Sequence, residues 1–390
     1  MQSRSPAETF ETTDRRQPHI VLFSGGTACR NINIALSRMA TRLTRIVPAW
    51  DSGGSSKELR EAFDMLPVGD IRQALMTMAH GEGRAGDVVK ICNARLSDTL
   101  GNDEARAELD YYASGAHPLL ARMASDLRDV ILSYLELFIG SVPAGFDFRN
   151  GSIGNFILTG AYFAHDGDIN AAVLRFRDLC SIQGNVWPAS TLPDIQLSAT
   201  LNDGRRLDRQ HLVTRMTEAD SRAGVESIEL RGRDGVLRAN ERSLEAVRSA
   251  DAIVLGPGSF YTSILPHLLV DGIAEAIAAN FRAPKIFIGN ILECAETRNM
   301  DLAGQIGVFL RSSGDHGMLS HVIANAELFP FEKTVGQFRY LRHGNLAGIC
   351  EQHGLSLISD DLEDAWTRGQ HDGRAVAELL VELAGQHVPA

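Results

Sequence analysis

The sequence predicts an α/β protein: a Rossmann-like three-layer parallel sheet core with an α-helical insertion and a small β-rich subdomain. Two glycine-rich turns, Ser24-Gly25-Gly26-Thr27 and Gly256-Pro257-Gly258-Ser259, each follow a short β-branched run and lead into a stretch that reads as a helix. Between them the apolar pattern passes through a long helical stretch and then an alternating one before the sheet rhythm resumes. In an open parallel sheet such turns sit at the carboxyl edge. There backbone N–H groups and the helix dipole favour an anion, and ligands collect at the switch point. A nucleotide or phosphorylated small molecule is the expected ligand.

The elements follow in order. His19 to Phe23 reads as a buried parallel strand, and Asn31 to Thr41 as the helix after the first turn, with Ile32, Leu36 and Met39 on its buried face. Leu43 to Trp50 is a second strand ending at Asp51; the loop Asp51-Ser52-Gly53-Gly54-Ser55-Ser56 caps a helix that starts near Lys57. Pro67-Val68-Gly69-Asp70 breaks the chain before another helix. Residues from about 83 to 180 form the helical insertion, clearest at Leu119, Met123, Leu127, Val130, Tyr134 and Phe138. Residues from about 184 to 232 form the β-rich subdomain, with a turn at Asn202-Asp203-Gly204. Strands at Ala252 to Leu255, Lys285 to Ile288 and His321 to Ile323 then alternate with helices. Residues 1–17 are expected to be a disordered tail, 18–330 the nucleotide-binding domain and 331–390 a C-terminal extension, with a strand at Leu355 to Ile358 and a closing helix at Arg374 to Ala384.

Composition narrows the classes. A chain of 390 residues, 44% hydrophobic and 22% charged, has the makeup of a globular protein. Its net charge of -11 and lack of a basic block exclude nucleic-acid binding through a general cationic surface. Lysine occurs only at Lys57, Lys90, Lys285 and Lys333, so phosphate recognition rests on arginine and backbone. Five scattered cysteines without a C-x-x-C pair point to reduced thiols and a cytoplasmic protein. Every apolar run is interrupted before membrane-spanning length, so no membrane partner is expected.

The candidate chemistry lies in four places. Gly25-Gly26-Thr27 lacks the spacing of both the dinucleotide fingerprint and the P-loop, and a plain tight turn competes with phosphate binding there. Gly256, Pro257, Gly258 and Ser259 run into Thr262 and Ser263, a density of donors that phosphate oxygens favour, although a hydroxyl-rich helix cap would look the same. Asp51 and Asp70 are two carboxylates near the sheet's carboxyl edge that suit Mg2+, and Arg72 can neutralise a phosphate; the alternative is that Asp70 merely caps its helix. At Gly154-Asn155 a small corner lets a ligand approach and the amide can read a base or sugar edge, unless Ser152 is only a cap. Cys29 reads as a core residue more readily than as a nucleophile, and His165-Asp166-Gly167-Asp168 as an inter-helix turn rather than a metal site.

These motifs resemble the CofD/YvcK family over about residues 19 to 325. The resemblance rests on Gly25-Gly26-Thr27, Asp51 to Ser56 with Leu59-Arg60, Pro67 to Arg72, Ile153-Gly154-Asn155, Gly256 to Ser263, and Asn290 with Glu296-Thr297. It implies a nucleotide diphosphate in a Rossmann-like cleft, with Gly53, Gly54, Ser55 and Asn290 joining the binding residues. One branch consists of 2-phospho-L-lactate transferases, which move a phospholactyl group from a guanosine-linked donor to the alcohol Fo, with Mg2+ and release of GMP. The other binds nucleotide sugars in regulatory roles, and the Gly-Gly-Ser-Ser and Gly-Pro-Gly-Ser-x-Tyr-Thr-Ser stretches look more like it. The chain departs from the family at Ser52, where a second Asp is usual, and at Ala28, where Gly is usual. Loss of that carboxylate weakens a two-acid metal site. The function expected first is therefore a Mg2+-assisted transferase of the 2-phospho-L-lactate type, with Asp51, Asp70 and Arg72 as catalytic residues; the alternative is a nucleotide-sugar sensor without turnover. An NAD-dependent oxidoreductase is a lesser alternative that fails on glycine spacing. A homodimer is expected, and a protein partner would suit the sensor.

Overall fold

Short runs of β-branched and large apolar residues, buried on both faces except in the exposed edge strand Ser356–Asp360, build the central sheet. The computed structural model describes residues 17–386 except 27, 80–84, 299, 315–316 and 330. The strands are β1 (His19–Phe23), β2 (Arg42–Val47), β3 (Asn185–Pro188), β4 (Gln196–Leu201), β5 (Arg206–Leu207), β6 (Val225–Arg231), β7 (Ala252–Leu255), β8 (Lys285–Ile288), β9 (His321–Asn325), β10 (Thr334–Val335), β11 (Phe338–Arg339) and β12 (Ser356–Asp360). Seven of them form one parallel sheet in the order β12-β9-β8-β7-β1-β2-β3. The chain runs outward from β1 through β2 to β3, then crosses back to β7 and continues on the other side. This is the doubly wound order with one strand added, and its switch point lies between β1 and β7.

The stretch read as a helical insertion holds helices Ala85–Asn93, Asn102–Ala113, Pro118–Ala121, Ser125–Ser141, Ile153–Ala164 and Ile169–Leu179. Its core is aromatic: Phe138 and Phe156 stack at 4.4 Å, with Phe146 edge-on to both. Helix Ile153–Ala164 crosses two neighbours so closely that glycine is required. A Cβ on Gly160 would run into the Tyr134 carbonyl and one on Gly154 into the Cys92 carbonyl.

Several expected elements and boundaries shift. Asn185–Pro188 is the edge strand of the main sheet, with Val186 and Trp187 buried, so the separate antiparallel sheet β5-β4-β6 begins only at Gln196. A strand and a helix past residue 330 belong to the main sheet and its helical layer. β12 pairs in parallel with β9, and helix Gly373–Gly385 packs so tightly on helix Arg30–Ser37 that a Cβ on Gly373 would meet the Asn31 carbonyl. The second glycine turn does not open an α-helix. Phe260–Ile264 is a wide π-helical turn and Leu265–Leu269 a 3-10 turn, so its anion affinity cannot draw on a helix dipole. The first helix and β2 also end earlier than expected, at Ser37 and Val47. Residues 1–16 of the expected tail lie outside the described residues. Among the described residues no helix is long and apolar enough to cross a membrane.

Gly160→Ala is expected to lower unfolding free energy by about 1–3 kcal/mol through overpacking against Tyr134, as read by denaturant titration. A cost below about 0.5 kcal/mol would show that the helix pair separates freely.

Candidate functional site

Parallel pairing of β1 with β7, Ile20 opposite Ala252 through Phe23 opposite Leu255, delivers the two glycine turns side by side. They interlock. The Gly256 N–H donates to the Phe23 carbonyl at 2.8 Å, and the Cys29 thiol reaches the Pro257 carbonyl at 3.5 Å. A Cβ on Gly25 would stand 2.7 Å from Ser263 Oγ, and one on Gly256 2.5 Å from Cys29 Sγ. Glycine at 25 and 256 is therefore dictated by the contact of the two turns. Cys29 is a packing thiol, which burial pushes up to about 11. Thr27 lies outside the described residues.

The second turn is held from behind by polar side chains, half-buried at Asn290 and buried at Glu296. Asn290 grips the Gly258 backbone twice, accepting from its N–H at 2.9 Å and donating to its carbonyl at 2.8 Å. Glu296, 3% exposed, accepts from the Tyr261 N–H at 3.0 Å and from the Thr262 hydroxyl at 2.6 Å. Trp50, at the end of the second strand segment, donates to the Thr262 carbonyl at 2.7 Å. Asn290 and Thr262 thus spend their side chains on the framework. Ser259 and Ser263 remain partly exposed, although the Ser259 hydroxyl also supports the Glu296 carboxylate.

On the other side of the switch point, Asp70 approaches the first turn from the start of a helix, and Asp51, in the loop after β2, stands beside that helix start, its Oδ2 3.2 Å from where a Cβ on Gly69 would sit. Asp51 Oδ1 accepts from the Gly53 N–H at 2.9 Å, fixing the start of helix Gly54–Phe63, while Arg60 donates to the Asp51 carbonyl at 2.9 Å. Asp70 lies in the first turn of helix Gly69–Met78, and a Cβ on Gly26 would fall 2.7 Å from its Oδ1. Burial, and next the charge of Asp51, push the Asp70 carboxyl up to about 7 against the pull of Arg45 and Arg72. A carboxyl in that state can exchange a proton near neutrality or welcome a cation.

Arg72, 8% exposed, does not pair with Asp70. It donates to Asn155 Oδ1 at 3.3 Å and to the side-chain oxygens of Gln73 and Asn93 at 2.9 Å each. Asn155 in turn donates to Ser55 Oγ at 2.9 Å. Arg72, Asn155 and Ser55 form one buried chain behind the acids. Gly154 serves helix packing against Cys92, and Gly54 is exposed at a positive φ of 50°. Asp168 caps helix Ile169–Leu179, so the His165 to Asp168 segment is a turn.

Sequence reasoning missed two participants. His211 and Gln210, on the short helix Gln210–Thr214, take hold of Ser52: Ser52 Oγ and His211 Nδ1 lie 3.0 Å apart, and the Ser52 N–H donates to Gln210 at 3.3 Å. Beside them a cavity of about 210 Å³ opens between Trp50, Ser52, Lys57, Arg60, Arg209 and Gln210. No local signal ties His211 to Ser52 across such a sequence separation.

The sequence pattern of the family described as 2-phospho-L-lactate transferase CofD matches residues 20–360. The chain belongs to the CofD family. A Nostoc sp. protein is 30% identical over 95% of this chain and 69% of its own length. The gluconeogenesis factor of Listeria monocytogenes is 28% identical over 94% of this chain and 96% of its own. A solved structure of a UPF0052 family member from Bacillus halodurans superposes with a TM-score of 0.72 at 23% identity, covering 94% of this chain and all of that one, which shows a shared fold. The CofD match runs past residue 325 to the end of β12, in keeping with the place of that strand in the main sheet.

Glu296 gives the site a measurable pH signature. Burial pushes its carboxyl up to about 7, although the hydrogen bonds from Thr262 and Tyr261 favour the charged form. The folded state therefore holds this proton more tightly than an unfolded chain, where glutamate titrates near 4.5. Stability from this group is complete below about 4.5, falls as pH rises to about 7 and is level above. Glu296→Gln keeps an acceptor for the Tyr261 N–H without the charge, so its stability relative to the parent is expected to improve across that window in denaturant titrations. A constant difference would show that Glu296 is already ionised throughout.

Proposed function

We propose that this CofD family member binds a nucleoside diphosphate, alone or carrying a sugar, across the junction of its two glycine turns, and acts as a binding protein of the gluconeogenesis factor type. The observation that carries the reading is the meeting of the turns at the switch point of a doubly wound sheet. The hydroxyl of Ser263, and that of Ser259 once it turns from Glu296, would supply donors for phosphate oxygens beside backbone N–H groups released from Asp70 and Asn290. Asn290, Glu296 and Trp50 fix the second turn beforehand, so little ordering is left for the ligand to cause. The cavity beside Ser52 is of a size for part of a sugar or base.

Asp51 and Asp70 are hard oxygen donors that suit Mg2+, which takes one or two carboxylates and fills its remaining positions with water and phosphate. Among the described residues no group of three or more His, Cys, Asp or Glu is placed to hold a metal, so the ion would arrive with the nucleotide rather than reside in a protein cage. Bound there, Mg2+ supplies charge neutralisation for the diphosphate. Ser52 favours binding over transfer: the position that would carry a second acid is a hydroxyl engaged with His211.

The transferase reading has its own support in Asp70, an acid poised near neutrality beside Asp51. In that chemistry an acceptor hydroxyl attacks the nucleotide-activated phosphate, a nucleoside monophosphate leaves, and Asp70 takes the hydroxyl proton. Calorimetry with GDP, UDP and UDP-sugars, with and without Mg2+, separates the two when paired with an assay for GMP or UMP release in the presence of Fo. Binding with weak Mg2+ dependence and no monophosphate release is the expected result. Ser52→Asp should then raise the Mg2+ dependence of binding. Rapid Mg2+-dependent release by the parent would restore the transferase, and the absence of any nucleotide binding would defeat both readings.

A further inference from the structure

Arg45 stands in the interior of β2 with none of its surface exposed. Its Nη2 donates to Ser24 Oγ at 2.5 Å and to the Gly25 carbonyl at 2.9 Å, while the equally buried Nε and Nη1 have no hydrogen-bond partner. A guanidinium enclosed this way, bonded only to uncharged groups and with two nitrogens unsatisfied, is strongly unfavourable for folding by itself. The neighbouring Cys29 is a neutral thiol and offers no compensating charge.

The position of the guanidinium gives it a use. The Gly25 carbonyl and the Gly26 N–H belong to one peptide group. Arg45 donates to the oxygen of that peptide, and its N–H is turned toward the Asp70 carboxylate on the far side. A donor on the carbonyl polarises the peptide and leaves more positive charge on its N–H face. A fixed charge in the interior also acts over several ångströms with little screening. Two further guanidiniums stand near the acids but bond elsewhere: Arg60 holds the Asp51 and Ile195 carbonyls, and Arg72 is buried among amide oxygens. The Lys57 amine is paired with Glu58 and Glu61. Two carboxylates, Asp51 and Asp70, meanwhile oppose any incoming anion.

We propose that Arg45 is the permanent cation of the first turn, a positioning residue that acts through the Gly25–Gly26 peptide to offset Asp51 and Asp70 and to draw in the diphosphate of a nucleotide. The inference rests on the nucleotide-binding reading and adds to it a residue that never touches the ligand. It also accounts for Ser24: the hydroxyl there orients the guanidinium against the turn.

The test uses the full chain and three variants, Arg45→Met, Arg45→Gln and Arg45→Lys, titrated calorimetrically with GDP, UDP and the matching monophosphates, with folding checked by circular dichroism and thermal melting. The Met and Gln variants are expected to weaken diphosphate binding by about tenfold or more, with a smaller loss for the monophosphates, and the Lys variant to recover part of the loss. Without ligand the Met variant should melt no lower than the parent, because an apolar side chain of similar volume removes the buried charge. If that variant fails to fold, the Gln variant decides. Parent-like diphosphate binding in a folded neutral variant, or equal losses for mono- and diphosphates, would overturn the role of Arg45 while leaving the nucleotide reading intact. A parent that binds no nucleotide overturns both.

Discussion

The pairing of β1 with β7 is the constraint on which the rest of the site depends. It sets two turns from opposite ends of the chain against each other, in a register fixed by four residue pairs whose side chains are wholly buried. Slipping that register by one residue would turn every apolar side chain in β1 to the other face of the sheet. It would also pull Gly25 away from Ser263 and Cys29 away from Gly256. The long helical insertion and the small antiparallel sheet are carried on loops that leave this pairing untouched, which is why they can be large without disturbing the junction.

Around the junction, polar side chains hold the two turns in place. Glu296 and Asn290 lie behind one turn, and Arg45 beneath the other. Such networks hold backbone groups in one arrangement because every alternative leaves a donor or acceptor without a partner. The second turn needs this more than the first. It runs into a π-helical turn rather than an α-helix, so its N–H groups must be aimed by side chains.

Much of the fold was legible in the sequence because parallel strands buried on both faces read as short apolar runs. His19 to Phe23, Ala252 to Leu255 and Lys285 to Ile288 stand in the sheet as expected. The edge strands were harder. In the sequence β3 groups with the alternating strands that follow it and β12 stands apart with the C-terminal residues, since nothing local reveals that either one joins the main sheet. At the site the glycines were visible as motifs, but their reasons were not: Gly154 makes room for a neighbouring helix, and Gly25 for Ser263. Hydroxyl density near the second turn could not reveal that Thr262 points inward to Glu296. Nothing in the sequence reading of the second strand singles out Arg45. Its meaning appears only with the turn folded over it.

The account stands or falls on where a diphosphate sits. The most direct measurement is a crystal structure of the protein grown with GDP or UDP at saturating concentration. The predicted result is diphosphate density between the Gly25–Gly26 turn and Gly258–Ser259, with Asp70 facing it. Density confined to the cavity lined by Lys57, Arg60 and Arg209, with both turns empty, would contradict it.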